Sequence, residues 1–176
     1  MSQIANVSLA AKDLGSKVAR LMRISSMTTS EVDAIGELAI QCGFHLELAL
    51  EMERKFAHIW VARFDADSIR PDAFLLAWQA ADELDIIALG TAAYARRLGL
   101  ARALVGELLQ FAVNNAMHRL LLEVRNSNAA AIHLYQSLGF QTGRIREAYY
   151  SDPTEDGIEM SLIIDALGCG RSMSGG

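Results

Sequence analysis

The residues from Arg96 to Arg102 have the chemistry of an anion-binding loop at the start of a helix. Gly99 carries no Cβ, so the backbone can turn tightly there and approach a ligand closely. The side chains of Arg96, Arg97 and Arg102 add positive charge, and the unpaired amides at a helix N-terminus attract anions. The segment lacks the Gly-Lys-Ser/Thr of a P-loop and the G-x-G-x-x-G of a dinucleotide-binding loop. It indicates either a pyrophosphate site or a solvated basic turn, and these residues alone do not separate the two.

A carboxylate lies inside the apolar run Leu120–Arg125, which has the pattern of a β-strand. Strand alternation places Glu123 on the same face as Leu121 and Arg125. Partial desolvation beside leucines would make Glu123 a better general base. The simpler interpretation is a glutamate that faces solvent, because glutamate is seldom buried.

A tyrosine follows within the next helical segment. Asparagine and serine at positions 126–128 are natural helix N-caps, and they predict a helix that begins there. Tyr135 lies almost two turns into that helix, on the same side as Ala131 and Ile132. Such a tyrosine usually packs in the core while its hydroxyl finds a partner. Its functional alternative is a general acid.

These residues are positioned by elements that hydrophobic periodicity predicts along most of the chain. Strands are expected over 23–27, 57–64, 73–79, 84–91, 118–125, 140–150 and 159–164, and helices over 30–41, 46–55, 99–116 and 128–138. The order is typical of a mixed α/β arrangement rather than a doubly wound sheet. The 176 residues suit one domain over 21–166, with a peripheral N-terminal extension over 1–20 and a flexible Gly/Ser-rich tail over 167–176.

Composition excludes several classes of function. A formal net charge of -5 argues against broad electrostatic binding to nucleic acid or to anionic lipid. No run approaches the ~18 apolar residues of a membrane span, and the start lacks the pattern of a signal peptide. Two scattered cysteines and four histidines without ligand spacing predict neither a disulfide framework nor a metal site. A cytoplasmic protein is expected.

Taken together, four runs of sequence resemble the GNAT superfamily of N-acetyltransferases, and most closely its RimI-type branch, the ribosomal-protein alanine N-acetyltransferases. The runs are Arg96-x-x-Gly99-x-Ala101, Leu122–Asn128, Ala131–Phe140, and Arg146-x-x-Tyr149-Tyr150 with Glu155-Asp156 and Met160. The resemblance is strong over 84–165, whereas 21–83 agree only in the order of elements.

The resemblance implies a GNAT fold, with a central twisted, mostly antiparallel sheet of about seven strands, splayed in the middle and flanked by about four helices. It also implies acetyl-CoA as cosubstrate, with Glu123 as general base and Tyr135 as general acid. Backbone groups of Leu89, Gly90 and Thr91 would bind the pantetheine arm, and Tyr149 and Tyr150 would lie near the acceptor. The remaining cofactor contacts would come from Arg97, Leu98, Gly99, Leu100, Ala101, Arg102 and Asn128.

The reaction expected from this resemblance is direct attack of a primary amine on acetyl-CoA in a ternary complex, with the N-terminal α-amine of a protein as acceptor. A ribosomal protein that begins with alanine is the expected partner. The alternatives are an acetyltransferase for a small amine and a non-catalytic acetyl-CoA-binding module. Ala93, Ala73-Phe74 and Cys42–His45 depart from the family pattern. The last of these lies in the loop that shapes the acceptor pocket, so the acceptor stays open at this point.

Overall fold

A computed structural model of the protein describes residues 22–65, 68 and 70–164. The expected N-terminal extension over 1–20 and the expected tail over 167–176 lie outside the described residues. The strands are β1 Arg23–Ser26, β2 Ala57–Arg63, β3 Ala73–Ala80, β4 Glu83–Thr91, β5 Arg119–Arg125, β6 Gln141–Ser151 and β7 Thr154–Ile163. The helices are α1 Val32–Gln41, α2 Leu48–Glu53, α3 Leu100–Asn114 and α4 Ala129–Ser137, with 3-10 turns at Thr29–Glu31 and Ala93–Ala95.

The seven strands form one sheet in the order β1-β2-β3-β4-β5-β7-β6. All neighbouring strands are antiparallel except β4 and β5, which run parallel and are joined by α3. The sheet therefore consists of two antiparallel halves, β1–β4 and β5–β7, that meet at one parallel joint. This confirms the expected mixed fold of seven strands and four helices.

Helix α3 covers the N-terminal half of the sheet, because its apolar residues recur every three or four positions. Leu100, Leu104, Leu108 and Ala112 are each no more than 1% exposed. They pack against β2, β3 and β4, and burial of each leucine stabilises the fold by about 1.5–3 kcal/mol. The helix that follows the candidate anion loop is thus anchored rigidly to the sheet.

A buried ion pair joins the start of α1 to the end of β2. The side chains of Glu31 and Arg63 are 8% and 7% exposed and contact each other directly. Glu31 also accepts hydrogen bonds from the backbone N–H and the hydroxyl of Thr28, both at 2.7 Å. Burial, followed by the charge of Arg23, lowers the pKa of Arg63. The pair pins the first helical layer to the sheet edge.

Most predicted elements differ from the structure by one or two residues at their ends, and three differences have a clear physical reason. The last strand begins at Thr154 rather than at 159, because the polar residues that resemble a turn pair with both β5 and β6. Helix α2 is shorter than 46–55, since Arg54 is already extended at ψ 118°. The first turn before α1 is a 3-10 turn, closed by the bond from Glu31 N–H to Thr28 O at 3.1 Å. In the part of the chain that the structure describes, no helix is long and apolar enough to cross a membrane.

Candidate functional site

The parallel joint between β4 and β5 opens into a split. The two strands pair only over Glu83–Ile86 and Arg119–Leu122, although β4 continues to Thr91 and β5 to Arg125. Beyond the joint, β4 keeps its pairing with β3 on the other side. Every second residue of a strand with one neighbour turns its backbone N–H and C=O to the open side. The segment Leu89–Thr91 therefore has one edge, on the side of the split, that no strand covers.

A bulge in β4 marks the start of this open segment. Ala88 pairs with Leu76 and Ile86 pairs with Ala77, so Ile87 is the extra residue. Such a bulge bends the strand and increases its twist. The bend accompanies the divergence of β4 from β5.

Gly90 lies at a place where only glycine fits. A Cβ on this residue would lie 2.3 Å from Cε1 of Phe74 and 3.0 Å from Sγ of Cys42. Cys42 follows α1, and its thiol donates to the carbonyl of Thr91 at 3.6 Å. The loop after α1 is therefore packed against the open segment of β4. Sequence reasoning missed this contact, because 49 residues separate the two partners.

The loop that enters α3 turns sharply just before the helix N-terminus. Arg97 and Gly99 have left-handed backbones, with φ of 60° and 90°, and Gly99 is the N-cap of α3. The Nε–H of Arg96 donates to Thr91 O at 3.4 Å, which ties the loop to β4. The guanidinium of Arg102 instead donates to the hydroxyl of Ser137 at the end of α4. In the structure Arg102 thus links α3 to α4.

Glu123 lies on β5 where the strands have separated, and its side chain is 24% exposed. Its carboxylate accepts a hydrogen bond from the guanidinium of Arg146 on β6. The pKa of Tyr149 is raised first by its hydrogen bond to the same carboxylate, then by burial, and then by the negative charge of Glu123. Glu123 is thus neither buried among leucines nor free in solvent, but part of a small polar cluster.

Two further carboxylates share this face of the sheet. Asp85 pairs with Leu121, two residues before Glu123, and Glu159 lies directly opposite Glu123 on β7. Desolvation, followed by the charges of Glu123 and Glu159, raises the pKa of Asp85 to about 6. Because Asp85 is exposed, desolvation should have only a weak effect on its pKa. The negative charges of Glu123 and Glu159 are therefore the cause of the raised pKa that the geometry supports. The face attracts cations.

Tyr135 is buried on α4, with its ring centroid 5.3 Å from that of Phe140. Burial, with a smaller contribution from Tyr150, raises the pKa of Tyr135. The phenol therefore stays protonated across the neutral range. Asn128 caps α4 by accepting a hydrogen bond from the N–H of Ala131 at 3.1 Å, as its sequence predicts.

Tyr149 and Tyr150 stand next to each other on an irregular stretch of β6. Between Arg146 and Tyr150 three residues of β6 oppose the single residue Asp156 of β7, and Ala148 there has a φ of 49°. The two rings meet edge to face with centroids 5.0 Å apart. The ring of Tyr149 lies on Gly157, where a Cβ would come within 2.9 Å of it. The irregularity thus brings two consecutive tyrosines into contact.

The structure brings most of the predicted catalytic and acceptor residues together. Glu123 lies beside Tyr149, and Tyr150 lies near Tyr135. Arg146 and Asp85 were missed as members of the cluster. The proximity of each of these residues to Glu123 depends on the registers of β4–β7, which hydrophobic patterns do not reveal. Among the described residues no group of three or more histidine, cysteine or acidic side chains could hold a metal ion.

Comparison with known proteins agrees with this geometry. The chain is 41% identical over 92 residues to the ribosomal protein bS18-alanine N-acetyltransferase of Escherichia coli strain K12. The aligned segment covers 52% of this chain and 61% of the relative, which is less than two thirds of that protein's length.

Solved structures extend the similarity over most of the described residues. The crystal structure of the ribosomal-protein-S18-alanine N-acetyltransferase from Escherichia coli matches with a TM-score of 0.73 and 30% identity, over 86% of this chain and 98% of that one. Arabidopsis thaliana NAA60 in complex with a bisubstrate analogue matches with a TM-score of 0.72 over 82% of this chain and 98% of that one. At 17% identity the second match shows the fold alone. The model of the acetyltransferase (GNAT) family matches residues 25–140, and the chain belongs to that family.

Proposed function

We propose that this protein is an acetyl-CoA-dependent N-acetyltransferase whose acceptor is the N-terminal α-amine of a protein, such as a ribosomal protein that begins with alanine. The observation that carries the proposal is the open edge of β4, which faces the half of β5 that bears Glu123 and runs toward the anion cradle at Gly99. The named relative in Escherichia coli supports the same acceptor.

The open edge of β4 fits the pantetheine arm of acetyl-CoA. Pantetheine carries two amides, so it can lie in the split as an additional strand and bond to those backbone groups of the segment Leu89–Thr91 that face the open side. The close packing of Gly90 against Phe74 holds this segment of β4 in place. A backbone N–H of this segment can also donate to the acetyl carbonyl oxygen, where negative charge develops during transfer.

The loop before α3 fits the pyrophosphate. Its amides lie at the N-terminus of a fifteen-residue helix that is anchored to the sheet. The left-handed residues Arg97 and Gly99 turn the chain at the start of the helix, where the first amides have no partner within the helix and can bind an anion. Asn128 lies at the start of α4, and its amide N–H₂ is available to the cofactor while its oxygen caps the helix.

When bound, acetyl-CoA supplies an activated thioester. Glu123, held by Arg146, receives the proton of the acceptor amine through water, and the acidic face around it attracts the protonated amine. A peptide α-amine has a pKa of roughly 7.7–8.0, against about 10.4 for lysine, so it is a few hundredfold more often neutral at pH 7. Tyr135, whose raised pKa keeps its proton in place, donates to the departing thiolate.

The acceptor wall is formed by Tyr149 and Tyr150. Two aromatic rings beside a carboxylate cluster suit an extended peptide N-terminus, since the rings supply contact area and the carboxylates hold the ammonium group. A ribosomal-protein acceptor would place the protein in the cytoplasm.

The test is the release of free thiol from acetyl-CoA with two sets of acceptors, Ala-starting ribosomal-protein peptides and a panel of small amines. Release with the peptides, lost when their N-terminus is blocked, would support the proposal. Release only with small amines would overturn the acceptor, and tight acetyl-CoA binding without turnover would favour a binding module. The double variant Glu123→Gln/Tyr135→Phe provides the inactive control.

A further inference from the structure

A single arginine ties the turn between β6 and β7 to the end of β5. The guanidinium of Arg125 donates to the carbonyl oxygens of Asp152 and Pro153, at 2.8 and 3.2 Å. It also lies 3.3 Å from a carboxylate oxygen of Glu155, and its Cζ lies 4.2 Å from the ring centroid of Tyr150. One side chain, 33% exposed, therefore holds the turn at four points.

Glu155 carries this link to the chain that enters α4. Its second carboxylate oxygen accepts a hydrogen bond from the backbone N–H of Ser127. Hydrogen bonding from Ser127, ahead of the interactions with Arg125, lowers the pKa of Glu155 and keeps it ionised. The backbone N–H of Asn126 also donates to the carbonyl of Asp156 at 3.0 Å. The β6–β7 turn and the start of α4 are thus joined by side-chain and backbone bonds.

The candidate catalytic groups lie on the two sides of this joint. Tyr149 and Tyr150 precede the turn on β6, and Tyr135 lies on α4. Tyr150 is close enough to Tyr135 to contribute to its raised pKa. Catalytic geometry tolerates displacements of only about 0.5 Å, so the acceptor wall and the acid need a common anchor.

We propose that Arg125 is a positioning residue for acetyl transfer, which fixes the acceptor wall of Tyr149 and Tyr150 relative to Tyr135. The inference rests on the proposed function and deepens it. A guanidinium can donate to two carbonyls and a carboxylate while it covers a ring, and an ammonium group cannot reproduce that fork. The candidate cofactor contacts on β4 and at the start of α3 lie away from these four contacts, and only Asn128, next to Ser127, lies near them, so the arginine acts mainly on the acceptor side.

The experiment compares Arg125→Ala and Arg125→Lys with a matched control, Arg119→Ala. Arg119 lies at the other end of β5, is 38% exposed and pairs with Glu83 at 2.7 Å. For each variant we would measure kcat and KM with an Ala-starting peptide, the acetyl-CoA Kd by calorimetry, and amide hydrogen exchange over 148–156.

We expect Arg125→Ala to raise the acceptor KM by about tenfold or more, because it removes several charge-assisted bonds at once. The acetyl-CoA Kd should stay within about twofold, since of the candidate cofactor contacts only Asn128 lies near the arginine. Amide hydrogen exchange over 148–156 should accelerate in Arg125→Ala. Arg125→Lys should restore only part of the acceptor affinity. The control Arg119→Ala should change neither the acceptor KM nor the exchange rate. This split between acceptor and cofactor distinguishes positioning from general destabilisation.

An unchanged acceptor KM in Arg125→Ala, or an equal loss of acetyl-CoA affinity, would overturn the inference. Absence of turnover in the wild type with every amine would refute the proposed function alone, because hydrogen exchange reports the tether without acetyl transfer. Exchange over 148–156 that stays at the wild-type rate in Arg125→Ala would overturn the inference in either case.

Discussion

Replacement of Tyr135 by phenylalanine isolates one hydroxyl group in the candidate site. The side chain is 5% exposed, and its ring contact with Phe140 survives the change. No group among the described residues hydrogen-bonds the hydroxyl, so its removal leaves no buried partner unsatisfied. Loss of a neutral hydroxyl under these conditions changes the free energy of unfolding by about 1 kcal/mol or less.

The kinetic effect should be far larger than the effect on stability. Protonation of a leaving group by a positioned acid contributes about 10²–10⁴ in rate, which corresponds to roughly 2.7–5.4 kcal/mol of transition-state stabilisation. Burial raises the pKa of Tyr135, so the phenol remains protonated between pH 6 and about 9 and the loss should be constant over that range.

The assay follows thiol release under saturating acetyl-CoA and peptide, with acetyl-CoA Kd and the thermal midpoint measured on the same preparation. We expect kcat to fall by at least about a hundredfold while Kd and the midpoint hold. Turnover within about threefold of the wild type would refute Tyr135 as the acid. A parallel fall in the thermal midpoint would show that the hydroxyl is structural instead.

Three other predictions concern packing and charge. Gly90→Ala should lower the free energy of unfolding by about 1–3 kcal/mol, measured by urea denaturation, because its Cβ would meet a ring carbon at 2.3 Å. Gly106→Ala, in an open helical position, should not destabilise the fold. Equal urea midpoints for the two variants would contradict this prediction. Glu31→Gln should cost about 3–5 kcal/mol by leaving the buried charge of Arg63 without the carboxylate that contacts it, and a loss under about 1 kcal/mol would count against the buried pair. Folding raises the pKa of Asp85 to about 6. The folded state therefore loses stability as pH rises from about 4 to about 6, where Asp85 becomes ionised. Asp85→Asn should therefore raise the thermal midpoint at pH 8 and not at pH 4, and a gain that is the same at both values would exclude this charge effect.

Local chemistry accounts for the part of the fold that could be predicted from the sequence. Asn128 caps α4 because its side-chain oxygen reaches the N–H of Ala131, only three residues further along the chain. Gly139 ends the same helix with a φ of 97°, which only glycine adopts without strain. The order of elements follows from apolar periodicity, and the long helix α3 has the most regular period. These signals act within a few residues of chain.

Long-range pairing accounts for what could not be predicted. Glu123 lies 23 residues from Arg146, and their contact depends on how β5, β7 and β6 are ordered in the sheet. The start of β7 was misplaced because a polar run resembles a turn until two neighbouring strands supply its hydrogen bonds. The contact of Cys42 with Thr91 likewise joins elements that no local pattern connects. The candidate site residues could be proposed in advance only from short runs of sequence, and the contacts between those runs could not.

The short parallel joint between β4 and β5 has a consequence for how the domain responds to its ligand. Four residue pairs between β4 and β5 join the two halves of the sheet, and the contact of Arg102 on α3 with Ser137 on α4 adds a link between the helices. A ligand that lies in the split as an extra strand would form hydrogen bonds and contacts with both halves and so hold them together. Binding energy then appears as cohesion of the whole domain, and a hundredfold excess over Kd adds about 2.7 kcal/mol. Release of a product bound there would have to break the same contacts between β4 and β5. The rate of turnover would then depend on how easily the sheet opens at its centre.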